Sequence, residues 1–588
     1  MNTFVPTLPD NAPFTPEQRA YLNGFLAGLY SYAPVAGAAA APQAQPLRPL
    51  TLLFGSQTGT CEGLAKKASK ELSKSGFAPT IHDMADYTVD QLAKEELLLV
   101  IASTYGDGEP PDNAQPFWEA LSASDAPQVS NLKYAVCALG DTNYAQFCQF
   151  GKDVDARLKA LGGAPLTERE DCDVEYDEPY ASWLSRVKTA LAAEAPAPGA
   201  PLATGLEDTA TEEEAGYTKD RPFLATLDVN RPLSGEGSNK EVRHYEISIA
   251  GSDITYQLGD ALGVYATNAP EDVEAILKAG GWDGDENVSL KEESLPLREA
   301  LTERLELGTI PKPLIDACAE TLGTETFLTK LGWESIEASA DYCQGRGAVD
   351  LILNIDGFPL TPQDFVSRLR KIQPRLYSIA SSPRAHPESV HLTVSAVRYE
   401  THGRARLGLA STFLADRAPL GEPGLPVFIH NNPNFRPPAS DTPLIMVGPG
   451  TGIAPFVGFL QDRATEASPG RSWLFFGDQH EATDYLYRHE IETALAEGTL
   501  ERLSLAWSRD QKEKVYVQDR MREEGAELWD WLQAGAAFYV CGDASRMASD
   551  VDIALREIVA EHGGLSENEV NDFIKSLKSE RRYCRDVY

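Results

Sequence analysis

The sequence predicts a multidomain α/β chain. Its expected parts are a parallel sheet wrapped by helices, an antiparallel barrel with a helical insertion, and a second parallel α/β domain. Three observations predict this. Short continuous apolar runs alternate with helical periodicity over 50–190 and again after about 440. Between these regions the pattern switches to alternating strands broken by a helix-rich stretch. Two Ala/Pro-rich stretches, 33–48 and about 192–216, read as linkers. A chain of 588 residues has room for about three or four cores.

In order, residues 1–49 form an N-terminal segment, with one amphipathic helix in TPEQRAYLNGFLAGLYSY capped by Thr15, Pro16 at its first position. Residues 50–191 form the first α/β domain. LTLLF (50–54), LLLVIAS (97–103) and YAVCALG (134–140) read as strands buried on both faces. LAKKASKELSKSG sets Leu64, Ala65, Ala68 and Leu72 on one helical face and stops at Gly76. Residues 192–217 are a flexible, partly acidic linker. Residues 218–438 carry the barrel strands RPFLATLDVNRPL, VRHYEISIA and VHLTVSAVRY, with helices inserted over about 270–365. Residues 439–588 return to strand–helix alternation through PLIMVGPG, SWLFFGD, LSLAWS and AAFYVCGD.

The net charge of −36 excludes a nucleic-acid binder and disfavours an anionic membrane surface, since both need clustered Lys and Arg. It suits encounter with a basic protein. The segment Glu168 to Glu178 holds seven carboxylates in eleven residues and is a candidate docking surface. No apolar run has membrane-spanning length, and the N-terminus lacks a signal-peptide pattern, so a cytoplasmic protein is expected. The eight cysteines form no CxxC pair, so no metal ligands are assigned and buried thiols in a reducing compartment are expected.

Three strand ends of the first domain run into polar, Gly-containing loops: SQTGTC (56–61), STYGDGEPPDN (103–113) and LGDTNYAQFC (139–148). Ligands of open parallel sheets bind outside such carboxyl ends. Ser56, Thr58 and Thr60 offer hydroxyls, and Gly59 permits close backbone approach to a phosphate. No lysine follows as in a nucleoside-triphosphate loop, so one phosphomonoester, that of FMN, fits best. Tyr105 and Tyr144 can sandwich a flat ring.

RLYSIASS (375–382) offers Arg375 to a pyrophosphate, Tyr377 to a flavin face and Ser378 to its reactive edge. GRARLGLASTFL (403–414) sets a Gly/Ala/Ser turn at a helix start. VGPGTGIAPF (447–456) follows a strand and lets backbone approach a dinucleotide. In WSRDQKEKVYVQD (507–519), Arg509 and Lys514 with Ser508, Tyr516 and Gln518 form the cationic, hydroxyl-rich set that a 2′-phosphate needs, pointing to NADPH over NADH.

Together the three loops of the first domain resemble a flavodoxin-type FMN domain. RLYSIASS and the GLAS turn, joined by barrel-like strands, resemble the FAD site of the ferredoxin–NADP reductase family. All three modules in one order resemble the diflavin reductases. Within that family the chain is similar to the NADPH–sulfite reductase flavoproteins, over nearly all of its length beyond residue 50. This rests on PFTPEQRAYLNGFLAGLYS, DCDVEYDE, FCQFGKDVDARLKALGG, WSRDQKEKVYVQD and the terminal RDVY. The alternative is a general diflavin reductase serving a haem monooxygenase or another one-electron acceptor. Tyr105, where some sulfite reductase flavoproteins carry Gln, leans that way; Leu409 in place of Gly and Cys584 in place of Gln are further departures.

The resemblance implies a set of cofactor contacts. For FMN these are Ser56, Gln57, Thr58, Gly59, Thr60, Cys61, Ser103, Thr104, Tyr105, Gly106, Leu139, Gly140, Asp141, Asn143, Tyr144, Phe147 and Cys148. For FAD they are Arg375, Leu376, Tyr377, Ser378, Thr393, Val394, Ser395, Tyr399, Gly408, Leu409, Ala410, Ser411 and Tyr588. For NADPH they are Gly450, Thr451, Ser508, Arg509, Lys514, Val515, Tyr516, Val517, Gln518 and Asp550. It further implies that Ser378, Cys541 and Asp586 flank the nicotinamide, and that Tyr588 gates the FAD ring. Electrons would run from NADPH to FAD to FMN, then to a sirohaem and iron–sulfur haemoprotein (beta) subunit that reduces sulfite to sulfide in sulfur assimilation. Several copies of the chain would assemble through the N-terminal segment.

Overall fold

The computed structural model describes residues 47–193 and 217–588, apart from 57–58, 106–107, 112, 143–145, 292 and 545. The helix expected near the N-terminus and most of the expected linker at 192–217 lie outside the described residues.

The first sheet contains β1 (Arg48–Gly55), β2 (Phe77–Asp83), β3 (Leu97–Ser103), β4 (Lys133–Leu139), β5 (Ala164–Pro165) and β6 (Glu170–Cys172). Its order is β2-β1-β3-β4-β5, with β6 also on β4, and every pairing is parallel. The run Leu97 to Ala102 is apolar throughout because β3 is central: Leu97, Leu99 and Ile101 enter one core, and Leu98, Val100 and Ala102 the other. Helix Thr60–Ser73 buries Leu64, Ala65, Ala68 and Leu72, the four residues that share its expected face.

The second domain contains β7 (Phe223–Pro232), β8 (Val242–Ser248) and β9 (Ala261–Val264), then a helical insertion with the hairpin β10 (Asn287–Leu290) and β11 (Glu293–Pro296). It continues with β12 (Arg375–Ser378), β13 (Ser389–Ser395), the hairpin β14 (Arg398–Thr401) and β15 (Arg404–Leu407), and β16 (Pro423–His430). Six of these strands form an antiparallel sheet in the order β12-β9-β16-β7-β8-β13. One antiparallel bridge, Ile379 to Leu392, joins the chain after β12 to β13. The insertion packs its own core around Ile276, Leu297, Leu314, Phe327, Leu351 and Phe365.

The third sheet is parallel: β17 (Leu444–Val447), β18 (Ser472–Asp478), β19 (Arg502–Trp507), β20 (Ala537–Gly542) and β21 (Tyr583–Val587), in the order β19-β18-β17-β20-β21. Among the described residues, no helix is long and apolar enough to cross a membrane.

Four details differ from the sequence expectation. Strand β2 was not expected, because an edge strand needs no continuous apolar run; FAPTIHD buries only Phe77. Strands β5 and β6 were missed at the other edge for the same reason. VHLTVSAVRY is not one strand: β13 ends at Ser395, and Arg398–Thr401 turns into a separate exposed hairpin. The C-terminal YCRDV is not a tail but strand β21, paired along β20 from Phe538–Tyr583 to Gly542–Val587.

Candidate redox site

The order β2-β1-β3 places a topological switch between β1 and β3, and the first candidate loops lie at that carboxyl end. The Ser56 N–H donates to Asn113 Oδ1 at 2.9 Å, and the Cys61 N–H donates to Ser56 Oγ at 3.2 Å. Gly59 takes φ 80° at the helix entrance, a left-handed turn that glycine adopts without strain, and Thr60 opens the helix. The Ser103 hydroxyl reaches Gly55 O at 3.5 Å, and Thr104 Oγ1 accepts from the Phe150 N–H at 3.2 Å. Leu139 ends β4, the Gly140 N–H donates to Cys172 O, and Phe147 lies under the Lys152 ammonium. Cys148 is buried at the start of the next helix. Burial pushes the Cys61 thiol up to about 12, so it is a packing group and not a nucleophile. The expected contacts Gln57, Thr58, Gly106, Asn143 and Tyr144 lie outside the described residues.

In the second domain, Arg375, Leu409, Thr412, Arg417, Glu306 and Asp141 line a cavity of about 280 Å³ between the antiparallel sheet and the first domain. Arg375 is half exposed, with Glu306 at 3.8 Å. Arg417 donates to Thr267 O at 3.1 Å and Thr412 Oγ1 at 3.4 Å but has no carboxylate partner among the described residues, and its buried Nε has no hydrogen-bond partner. Desolvation lowers its pKa. A cation held this way fits an anionic ligand, and the cavity suits a diphosphate. Arg417 was missed in the sequence, where it is one of many arginines in a polar stretch. Leu376 is exposed, and Tyr377 packs at the edge of the sheet's core. Gly408 caps the short helix Leu409–Thr412; Ala410 joins the core, and Ser411 Oγ accepts from the Val397 N–H at 3.1 Å. Thr393 turns its hydroxyl to Tyr487 Oη at 2.6 Å, Val394 enters the core, Ser395 is half-buried, and Tyr399 is exposed on the hairpin.

In the third domain the switch lies between β17 and β20. The loop with Gly450 and Thr451 passes against the end of β20 so closely that a methyl group on Gly452 would overlap the carbonyl of Cys541. On the flank of β19, the Ser508 hydroxyl donates to Asp478 O at 3.2 Å. Arg509, Lys514 and Tyr516 are exposed, and the two cations form no ion pair among the described residues. Val515 and Val517 anchor the segment to the core, and Gln518 Nε2 donates to Asp550 Oδ2 at 3.2 Å.

Strand β21 brings the two ends of the site together. Ser378 Oγ donates to Asp586 Oδ2 at 2.6 Å, Cys541 Sγ lies 3.8 Å from the same oxygen, and Asn432 Nδ2 reaches Asp586 Oδ1 at 3.4 Å. Burial raises the Asp586 pKa, and the hydrogen bonds from Ser378 and Cys541 oppose that rise. Burial, with the adjacent carboxylate, pushes the Cys541 thiol well up, so it stays protonated and donates. Asn432 was also missed, since HNNPNF reads as an ordinary turn. The terminal Tyr588 is held by three bonds: its N–H to Gly542 O, its carbonyl from the Ala544 N–H, and its hydroxyl with Thr451 Oγ1 at 3.0 Å. The residue is 61% exposed, and its ring can lie on a flat ring system.

The first domain reaches this same point. Tyr105 Oη donates to the Val587 carbonyl at 2.7 Å, one residue from Tyr588. Arg370 meets Thr142, Asp173 at 2.9 Å and Asp141 at 3.6 Å, and the Lys371 N–H donates to Glu175 Oε1 at 3.2 Å. Part of the acidic segment 168–178 is therefore occupied within the chain.

Three family models match in sequence order: flavodoxin over 52–183, an FAD binding domain over 216–413, and an oxidoreductase NAD-binding domain over 446–552. With the two switch-point sheets and the shared Ser378–Asp586–Cys541 cluster, they define a diflavin oxidoreductase. The chain is 44% identical to the sulfite reductase [NADPH] flavoprotein alpha-component of Bacillus subtilis (strain 168), over all of this chain and 97% of that protein. It is 43% identical to the proteins of the same description from Shigella dysenteriae serotype 1 (strain Sd197) and Escherichia coli O157:H7, over 98% of this chain and 95% of each. The chain belongs to the NADPH–sulfite reductase flavoprotein alpha-component family.

Proposed function

We propose that this chain is the flavoprotein component of an NADPH-dependent sulfite reductase. Bound NADPH, FAD and FMN supply the redox chemistry that splits a two-electron donor into single electrons for a sirohaem and iron–sulfur haemoprotein subunit. The observation that carries the reading is the Tyr105–Val587 hydrogen bond, which brings the FMN-type loop to the strand bearing Asp586 and Tyr588.

The chain's own groups have distinct tasks. Arg509 and Lys514, with Ser508, Tyr516 and Gln518, hold the 2′-phosphate end of the nucleotide; Gly450 and Thr451 cradle its pyrophosphate. Arg375 and Arg417 would neutralise the FAD diphosphate, and the hydroxyls of Ser56 and Thr60 would hold the FMN phosphate. Ser378, Cys541 and Asp586 keep a dry, hydrogen-bonded edge where the nicotinamide must sit, fixing its orientation. Tyr588 would lie against a bound FAD ring, and its bond to Thr451 would have to release for the nicotinamide to enter. We further propose that the bridge between Ile379 and Leu392 marks closure of the second sheet into a barrel. Residues 50–191, 218–438 and 439–588 are taken as the functional domains, and the N-terminal segment as the means of self-assembly in a cytoplasmic complex.

Anaerobic NADPH oxidation with sulfite as sole final acceptor tests the proposal, run with and without the sirohaem subunit of the same organism. Sulfide formation only when both proteins are present is expected. No sulfite-dependent turnover, with flavins intact and the haemoprotein active, makes this a diflavin reductase for another acceptor.

A further inference from the structure

Away from the redox site, on the outer flank of the antiparallel sheet, three metal-ligating side chains converge. His244 and Glu246 are two residues apart on β8 and so share a face, and His391 on β13 pairs directly with Glu246. His244 Nε2 lies 3.3 Å from Glu246 Oε1, His391 Nε2 lies 3.9 Å from Glu246 Oε2, and all three donor atoms fall within 4.8 Å of one another. Donors on a tetrahedral Zn²⁺ bonded at ~2.0–2.2 Å stand roughly 3.3–3.6 Å apart. The cluster needs only small side-chain rotations to reach that spacing.

The surroundings suit a cation. Both histidines are 4% exposed, and His391 Nε2 also meets Ser389 Oγ at 3.1 Å, a contact that a bound ion would displace. His244 Nδ1 is engaged by Tyr487 Oη at 2.8 Å, and Thr393 Oγ1 meets the same hydroxyl at 2.6 Å. This is the outer partner that orients a ligating imidazole and leaves Nε2 directed at Glu246. Arg231, over the Tyr487 ring, is paired with Glu490 at 2.7 Å. The Glu246 side chain is 37% exposed, leaving a route for the ion and for a water in the fourth position.

We propose that His244, Glu246 and His391 form a three-ligand site for a borderline-soft divalent cation of the Zn²⁺ or Co²⁺ class, at the seam between the FAD and nicotinamide domains. Two imidazoles and one carboxylate match that class better than Mg²⁺ or Ca²⁺, which prefer all-oxygen shells. Tyr487 belongs to the third domain, so an ion here would tighten that domain against the second.

The test uses the full chain with flavins bound, stripped of metal by a chelator and titrated with Co²⁺, then with competing Zn²⁺. Expected are a Co²⁺ ligand-field band to the red of the flavin absorption, saturating at a single ion per chain, and its loss on Zn²⁺ addition. Glu246→Gln, at a half-exposed position, should abolish the band with flavin content unchanged. Tyr487→Phe, which removes only the outer partner, should weaken binding by about 10-fold or more. A band of equal strength and affinity in wild type and Glu246→Gln overturns the site, as does no band up to millimolar Co²⁺. In the latter case the cluster is a hydrogen-bonded seam only.

Discussion

Asp586 is a carboxyl that burial holds above its ordinary range while Ser378 and Cys541 donate to it. Its protonated form is favoured in the fold. The stability it contributes is therefore full below the ordinary carboxylate pKa and is lost as pH rises through the raised value. Asp586→Asn should raise the melting temperature by a few degrees at neutral pH. That gain should vanish in acid below the ordinary carboxylate range, while NADPH-driven flavin reduction slows at every pH. Melting curves from pH 4 to 8 read the first effect and anaerobic stopped flow the second. At the other end of the proposed nucleotide site, Arg509→Gln should remove the charge-assisted hydrogen bond proposed to the 2′-phosphate, worth about 1.5–3 kcal/mol, a loss of roughly 10- to 100-fold. KM for NADPH should rise by that factor with kcat nearly unchanged, and the KM for NADH should not move. Equal effects on both nucleotides would remove Arg509 from the 2′-phosphate site.

Two loops at sheet switch points carry the candidate cofactor sites, and each depends on close backbone packing. The β17 loop lies on the end of β20 because Gly452 has no side chain. Gly452→Ala should overpack this contact, costing about 1–3 kcal/mol and displacing the loop from Cys541. The nicotinamide domain should melt earlier and NADPH affinity should fall, with FMN content unchanged. Strand β21 has the same positional role. Tyr583 and Val587 enter the third domain's core, and pairing with β20 carries Asp586 to Ser378, 208 residues away in sequence. YCRDV was illegible as a strand because its alternation is broken by Arg585 and Asp586, whose places come from β20 and Ser378.

Across the molecule, polar contacts among the described residues dock the first domain. Arg370 bridges Asp141, Thr142 and Asp173, Lys371 meets Glu175, and Tyr105 meets Val587. The Arg370 pairs are partly buried, 23% and 29% exposed, and contribute on the order of 1 kcal/mol each, weak enough for reversible docking. Arg370→Ala should shift the chain toward an undocked state. Small-angle scattering should show a larger radius of gyration, and reduction of FMN by NADPH should slow while reduction of FAD does not. Unchanged scattering at low salt would show that Arg370 does not hold the domains together. Because Asp173 and Glu175 already face Arg370 and Lys371, a basic partner that uses this segment must compete with the chain's own second domain.

Local patterns in the sequence determined the order of the three modules, the central strands, and the candidate phosphate- and nucleotide-binding loops. Central strands such as β3 are apolar on both faces, and phosphate loops need Gly, Ser and Thr at fixed spacing, so both leave a mark on neighbouring residues. Tertiary structure alone decided the rest. The edge strands β2 and β6, the burial of Arg417 away from any carboxylate, the reach of Asn432 to Asp586, and the convergence of His244, Glu246 and His391 depend on partners distant in the chain. A buried charge or an edge strand is stabilised by what the fold brings beside it, and that partner leaves no mark on the residues next to it in sequence.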